Sequence, residues 1–493
     1  MLESLGTILQ IRVSTTLQVV RAWTLPFAVQ CVRWSPDGSM IMLLGKNRIR
    51  IMAVDPRTAA HFYSGDQTID GNMGPDAIFS VEAGAEGLIG GQWINNATIC
   101  GFTSDHLQAM LYDIETGSVA VIKNTKSNKA FISPSHSYIA FLTKQDGNDF
   151  VTILKSCKNV HEDTSEWRVM QEFSAKTSDS SGICWSPDER YLAVWEGMLE
   201  YKIQIFSLFG HLQATYAIEA DIPTTMLPSA LPTNAGSLMS HSAAGLGIRE
   251  LRWSPSGNFI VAGDYYDRIR LVETREWSEC ISFDLSSIAS SRAQTDSALG
   301  WKEPSEWESN ASDRTIQSFD PFGLPSVLPS TQGELNRLNP KAGISWLEFN
   351  GSGDMLAVRS DNLANTLFVF AIPSSSFDGP PSLLAVINLS CPISQALWRP
   401  SKTKSEGTEF HTDELSFMSQ TNAIHTWRRT RSEAEDLQIV EAIPIPIDAF
   451  AAKHASFSPD GRTLTITSDD NTFCCAMDAV QSNSHSDYSQ SHL

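Results

Sequence analysis

Trp34-Ser35-Pro36-Asp37-Gly38 lies between two short apolar runs, and near-identical stretches recur down the chain: Trp185-Ser186-Pro187-Asp188-Glu189, Trp253-Ser254-Pro255-Ser256-Gly257 and Phe457-Ser458-Pro459-Asp460-Gly461. Weaker copies stand at Trp93-Ile94-Asn95-Asn96, Ile132-Ser133-Pro134, Phe349-Asn350-Gly351-Ser352-Gly353 and Trp398-Arg399-Pro400. In each, an apolar strand ends at the aromatic residue, Pro fixes φ for the turn, Asp and Gly close it, and a second apolar strand follows. Tyr191-Leu192-Ala193-Val194 and Phe259-Ile260-Val261-Ala262 are such second strands.

A repeated hairpin that cannot bury its own apolar faces must stack on its neighbours. The repeat therefore predicts an all-β chain, a β-propeller of about eight units. Eight units at roughly 40–45 residues each need about 360 residues, and two insertions absorb the excess. Residues 221–247 are rich in Pro, Ser, Ala and Gly, and residues 285–338 in Ser, Pro, Asn and Asp. Both are expected to be mostly disordered, and the polar tail 481–493 disordered. Trp301 and Trp307 are unusual for a linker and fit either a docking motif or a return onto the propeller. The propeller itself is assigned to residues 1–480. Residues 9–23 look like the outer half of a blade, and the last unit lacks its outermost strand. One closed ring is expected, with a strand from residues 17–23 pairing near 472–476, because closure removes free edges. A second turn precedes the third strand of each unit, as in Gly263-Asp264-Tyr265-Tyr266-Asp267. An Asp there satisfies backbone donors, so Asp267 and Asp470 are structural.

The 493 residues carry a formal net charge of −20, a poor platform for nucleic acid, whose binding relies on basic residues displacing counterions. Arg428, Arg429 and Arg431 form a short basic run that reads as a solvated strand end. The eight cysteines show no metal-ligand spacing and point to a reducing compartment. The N-terminus has no basic signal-peptide region, and no apolar run reaches 18 residues, so neither export nor a membrane span is expected. The sequons at Asn96, Asn310 and Asn388 are then silent. No nucleophile elbow, phosphate loop or His-Glu-x-x-His motif occurs, and the expectation is a protein without catalytic residues, metal or cofactor. Ser-Pro at 35, 133, 186, 254 and 458 reads as turn chemistry rather than phosphorylation sites. The terminal Ser491-His492-Leu493 is a weak match to a peroxisomal address.

Residues 182–216 are the most specific stretch. Leu192-Ala193-Val194-Trp195, Leu199-Glu200-Tyr201-Lys202-Ile203 and Ser207-Leu208-Phe209-Gly210 resemble the matching repeat of the WD-repeat protein eight family, the centrosomal and spindle-pole WD proteins. Asn339-Pro340-Lys341 and Leu356-Ala357-Val358-Arg359-Ser360-Asp361-Asn362 resemble a second block of that family, which also has a long insertion before the first of these. The family carries a complete repeat before Trp34, where only an outer half is recognisable. The resemblance implies a WD40-like β-propeller acting as a non-enzymatic scaffold in the cytoplasm and at the spindle pole body or centrosome. Its implied partners are a coiled-coil spindle-pole anchoring protein and a minus-end-directed kinesin, with microtubules bound indirectly. Neither nucleic acid nor membrane is an expected partner. Candidate partner-binding residues are Trp195, Glu200, Tyr201, Lys202, Arg359, Asp361 and Asn362. For Tyr201 the alternative is a ring packed between blades. Competing readings are a translation-initiation-type propeller, which would need a basic RNA-facing surface, and a ubiquitin-ligase or assembly adaptor.

Overall fold

The structure, a computed structural model, describes residues 2–5, 8–13, 18–55, 77–82, 87–103, 108–159, 164–218, 247–289, 298–304, 316–330, 341–373, 379, 381–400, 411–431, 436–445, 450–468 and 473–477. The chain forms two compact units. One comprises Met1–Arg12, Val19–Gly300 and Gly323–Ile387; the other comprises Val13–Gln18, Trp301–Phe322 and Asn388–Leu493.

Among the described residues, nine sheets follow one another along the chain. Sheet 1 is Leu2–Leu5, Ile8–Arg12 and Val19–Thr24. Sheet 2 is Cys31–Trp34, Met40–Leu44, Arg48–Ala53 and Ala77–Glu82; sheet 3 is Leu88–Trp93, Thr98–Thr103, Gln108–Asp113 and Val119–Lys123. Sheet 4 is Phe131–Ile132, Tyr138–Gln145, Asn148–Asn159 and Thr164–Ser174; sheet 5 is Ser180–Trp185, Tyr191–Glu196, Tyr201–Ser207 and Leu212–Ile218. Sheet 6 is Ile248–Trp253, Phe259–Asp264, Arg268–Glu273 and Ser278–Asp284, and sheet 7 is built on Ile344–Phe349, Met355–Ser360, Thr366–Ala371 and Ser382–Asn388. In the second unit, sheet 8 is Gln395–Trp398, His411–Met418, Ala423–Arg431 and Asp436–Pro444, with Gln317–Ser318 added at its outer edge. Sheet 9 is His454–Phe457, Thr463–Thr467 and Phe473–Met477.

The repeated turn works through its serine. Ser186 Oγ accepts from Tyr191 N at 3.0 Å and donates to Asp188 at 2.6 Å. Ser35, Ser254 and Ser458 accept in the same way from Met40, Phe259 and Thr463, and Asn350 substitutes for them with its Oδ1 on Met355 N. The turn closes in the left-handed region at Gly38, φ 73°. Glu189 adopts φ 58° there without being glycine, and its carboxylate accepts from the Ser135 hydroxyl of sheet 4 at 2.8 Å.

Stacking of sheet on sheet supplies the core. Trp93, Trp253 and Tyr201 sit in clusters drawn from adjacent sheets, and the indoles lock the joints. Trp93 Nε1 donates to Arg33 O at 3.2 Å, Trp185 to Phe131 O at 2.8 Å and Trp253 to Cys184 O at 3.2 Å. Each reaches the residue just before the matching position of the preceding sheet. Sheet 4 has Ile132 at that position, and its joint uses Gln92 instead, which donates to Ala130 O and accepts from Ala130 N.

At the two ends of the chain the strands pair locally. Val19–Thr24 pairs with Ile8–Arg12, Leu9 lying opposite Trp23, while Phe473–Met477 pairs with Thr463–Thr467. Leu9, Ile11 and Leu25 are buried against Ile41, Leu43 and Met52, so the opening hairpin covers sheet 2. The insertion 285–338 carries some regular structure. Leu285–Ile288 forms one helical turn capped by Asp284 with Leu285 and Ile288 buried, and Leu299–Lys302, Gln317–Ser318 and Asp320–Phe322 are strands. Their apolar residues are too sparse to show periodicity. Residues 219–246, Trp307, Asp470 and the tail 481–493 lie outside the described residues.

Candidate partner-binding surface

The Ser-Pro ends of the blades offer little chemistry. Ser35, Ser133, Ser186 and Ser254 are buried, and each hydroxyl accepts a backbone N–H across its turn, leaving none presented to solvent for modification.

The opposite ends of sheets 5, 6 and 7 bring together both groups of candidate residues. Gly247 leads into sheet 6 and donates its N–H to Met198 O at 2.8 Å. A Cβ there would stand 2.0 Å from Gly197 O and 2.6 Å from Glu200 O, so only glycine lets the strand pass this turn. Next to it, Ile248 pairs with Asp264. The Asp264 carboxylate accepts from Tyr266 N at 2.8 Å and Arg268 N at 2.9 Å. Arg249 crosses to sheet 7, donating to Ala342 O at 2.6 Å and Asp361 Oδ2 at 2.7 Å while lying 5.9 Å from the Tyr265 ring centre. Asp267 completes the joint by accepting from the Ser360 hydroxyl and, at 2.9 Å, from Asn362 Nδ2.

The turn donors are thus satisfied by Asp264, and Asp267 is structural in a different way, between blades. Arg359 is half-buried and donates to Ser345 Oγ at 3.0 Å, with Asp361 at 3.6 Å. Asp361 and Asn362 are joint residues first, and these contacts of Arg359 lie within sheet 7.

Tyr201 is 3% exposed and Trp195 is buried beside it, in one cluster with Trp253 and Ile260. The Tyr201 ring lies 5.1 Å from the Arg270 guanidinium carbon and edge-on to Tyr216. The packed alternative holds, and neither aromatic is an exposed docking residue. Strand alternation explains it: Tyr201, Ile203 and Ile205 share the side of the strand that the next blade covers. Glu200 and Lys202 remain at the rim, 4.0 Å apart, with Lys202 donating to Lys176 O.

What this surface presents are two residues that lie inside the quoted stretches but outside the candidate set. Leu199 is 84% exposed and Tyr266 47% exposed, at the turns of adjacent blades. Two tyrosines at a turn apex, Tyr265-Tyr266, were the available signal. Burial pushes the Asp264 carboxyl up to about 6, raises that of Asp267 and holds the Arg359 guanidinium below its usual value. These buried groups lie at the same end of sheets 6 and 7 as the turn that carries Tyr266. Among the described residues, no group of His, Cys, Asp or Glu could hold a metal ion, and no helix is long and apolar enough to cross a membrane. Arg428, Arg429 and Arg431 are each paired, with Glu441, Asp436 and Asp413.

Residues 233–272 match the WD domain, G-beta repeat family. With the stacked four-stranded sheets, this defines the fold class, an all-β, WD40-like β-propeller. More particularly, the chain is similar to WD repeat-containing protein WRAP73 of Mus musculus, 24% identical over 411 residues that cover 80% of this chain and 77% of that protein. An uncharacterized WD repeat-containing protein of Schizosaccharomyces pombe is 22% identical over 207 residues, 41% of this chain and 37% of that protein. Among solved structures, Sqt1 from Chaetomium thermophilum has a TM-score of 0.48 at 11% identity, covering 92% of this chain and 96% of that one. The C-terminal WD40 domain of Sif2 has a TM-score of 0.43 at 12% identity, covering 89% and 90%.

Proposed function

We propose that this protein is a non-enzymatic scaffold of the spindle pole or centrosome, holding microtubule minus ends through a coiled-coil anchoring protein and a minus-end-directed kinesin. The observation that carries the reading is the stretch 182–216, whose Leu192–Trp195, Leu199–Ile203 and Ser207–Gly210 pieces resemble the centrosomal WD family. Similarity to a WD repeat-containing protein over 80% of the chain supports a likeness of the whole repeat array rather than of one motif. The exposed Leu199 and Tyr266 at the turns of adjacent blades support a role in binding proteins, since an exposed tyrosine is a common association anchor.

Charge decides how microtubules are reached. Their surface is acidic, and a chain at −20 gains no Coulombic attraction to it, so the contact runs through a partner. Purified protein mixed with microtubules at low ionic strength, where electrostatic binding is strongest, is expected to stay in the supernatant. Direct pelleting would defeat the adaptor role. A fluorescent fusion is expected at the poles of mitotic cells, with coiled-coil and kinesin chains in its purified complexes. Recovery of ribosomal subunits or ubiquitin-ligase components in their place, or peroxisomal puncta lost on deleting residues 491–493, would overturn the assignment.

A further inference from the structure

The second unit contains a strand pairing that the repeat does not require. Gln317–Ser318, from the long insertion, lies antiparallel on the outer strand of sheet 8, Gln317 opposite Ala442 and Ser318 opposite Glu441. Phe319 extends the contact by donating its N–H to Val440 O at 2.9 Å. Its side chain is buried, edge-on to the His425 ring at 5.7 Å, and His425 in turn stacks on Phe417 at 5.4 Å. The blade has its four strands without this addition.

The occupant is short for its site. Asp436–Pro444 is nine residues long, and among the described residues this segment covers its stretch around Val440–Ala442. Toward Asp436 the edge carries Leu437, 53% exposed, and Ile439, 36% exposed, on one side of the strand. An edge of unpaired backbone groups with apolar side chains is a template for a further strand. Charge does not decide its partner, because Arg428 pairs with Glu441, Arg429 with Asp436 and Arg431 with Asp413 inside the sheet.

We propose that the outer edge of sheet 8 is a strand-addition site for an extended segment of a partner protein that places an aromatic residue opposite Val440, and that Gln317–Phe319 occupies it in cis. The backbone ladder supplies affinity, the aromatic pocket beside His425 supplies specificity, and the cis segment competes with the partner. The proposal does not depend on the spindle-pole assignment.

The probe is a fluorescein-labelled peptide of residues 314–322, Arg-Thr-Ile-Gln-Ser-Phe-Asp-Pro-Phe, titrated into the full-length protein by anisotropy. Wild type should bind it weakly, since the tethered copy holds the site at high effective concentration. Phe319→Ala in the protein should tighten binding about tenfold or more by weakening that competitor. A peptide with alanine at the Phe319 position should bind neither protein, and binding should change little between low and high salt. If Phe319→Ala loses its cooperative melting transition, Gln317→Pro disturbs the cis ladder without removing a core side chain and should give the same tightening. Equal affinity for wild type and folded variants, or no binding to a folded variant, would overturn the site. A concentration-dependent wild-type dimer that excludes the peptide would overturn the partner assignment in favour of exchange between two copies.

Discussion

The two ends of the blades are built on opposite plans. At the Ser-Pro end one device repeats: a serine hydroxyl takes the N–H five residues on, at 2.9 Å for Met40, 3.0 Å for Tyr191 and Phe259, and 2.9 Å for Thr463. At the other end each joint differs. Between sheets 4 and 5, Lys126 bridges Asp149 at 2.8 Å and Asp179 at 2.6 Å, and Asp149 also takes the Ser180 hydroxyl. Between sheets 6 and 7, Arg249 and Asp267 do the bridging. In the second unit, Glu303 accepts from Ser390 N at 2.8 Å and faces His425. Repetition produces blades that stack alike. The non-repeating ends, with buried charge and individual side chains, are where the blades differ from one another.

The comparison breaks most visibly at a repeated position. Trp185→Ala removes a buried ring from the joint of sheets 4 and 5 and should cost about 3–5 kcal/mol in urea unfolding. Trp185→Phe keeps most of the packing and orphans only the Phe131 carbonyl, so a loss of about 1 kcal/mol is expected. Equal losses for the two would mean that the indole bond, not the stacking, holds the joint.

Acid should separate the non-repeating ends. Burial lowers His425 to about 4, so its ring is neutral in the folded protein. The stability linked to it is present above its usual value of 6.5 and is lost as pH falls toward 4, up to about 3 kcal/mol. Asp264 has the opposite sign. Its carboxyl is raised to about 6, so its contribution is complete below 3.8 and is lost as pH climbs through 6, on the order of 2 kcal/mol. Hydrogen exchange at pH 5 against pH 7.5 should therefore show sheet 8 loosening and sheet 6 tightening on acidification. His425→Gln should flatten the first response and Asp264→Asn the second. A common direction in both sheets would show that some other group controls the pH response.

At the repeated turns, Ser186→Ala and Ser254→Ala should each cost about 1–2 kcal/mol, because each leaves a strand N–H without its acceptor. Near-equal losses in thermal melts are the signature of one device used twice. A spread as wide as that among the charged joints would erase the distinction between the ends.

The repeat was legible because its chemistry is local: Trp, Ser-Pro and Asp-Gly lie within five residues, and flanking apolar runs mark both strands. Three-dimensional joints were not. Nothing in the spacing of Arg249 and Asp361, or of Asp267 and Asn362, announces their meeting, since each pair is nearly one hundred residues or more apart. Tyr201 looked like a docking residue because Glu200 and Lys202 flank it, yet alternation along a strand puts neighbours on opposite sides. The strand at Gln317–Ser318 escaped notice because two residues carry no period, and the burial of Phe319 depends on a pocket contributed by a distant blade.

The smallest effect on stability carries the most functional weight. Leu199 and Tyr266 stand on the turns of sheets 5 and 6, at the same end of the blades as the Arg249 and Asp267 contacts. Neither side chain is buried, so Leu199→Ala with Tyr266→Ala should move the unfolding free energy by less than about 0.5 kcal/mol. Tyrosine is among the residues in which association energy concentrates, with neighbouring apolar contacts excluding water around it. Recovery of partners by the double variant should therefore fall several-fold in quantitative purification while the melt is unchanged. Glu200→Ala, at the rim, should lower recovery less and mainly alter its salt dependence. Undiminished recovery by the double variant would remove this end of sheets 5 and 6 as the binding surface, and the outer edge of sheet 8 would then be the place to look.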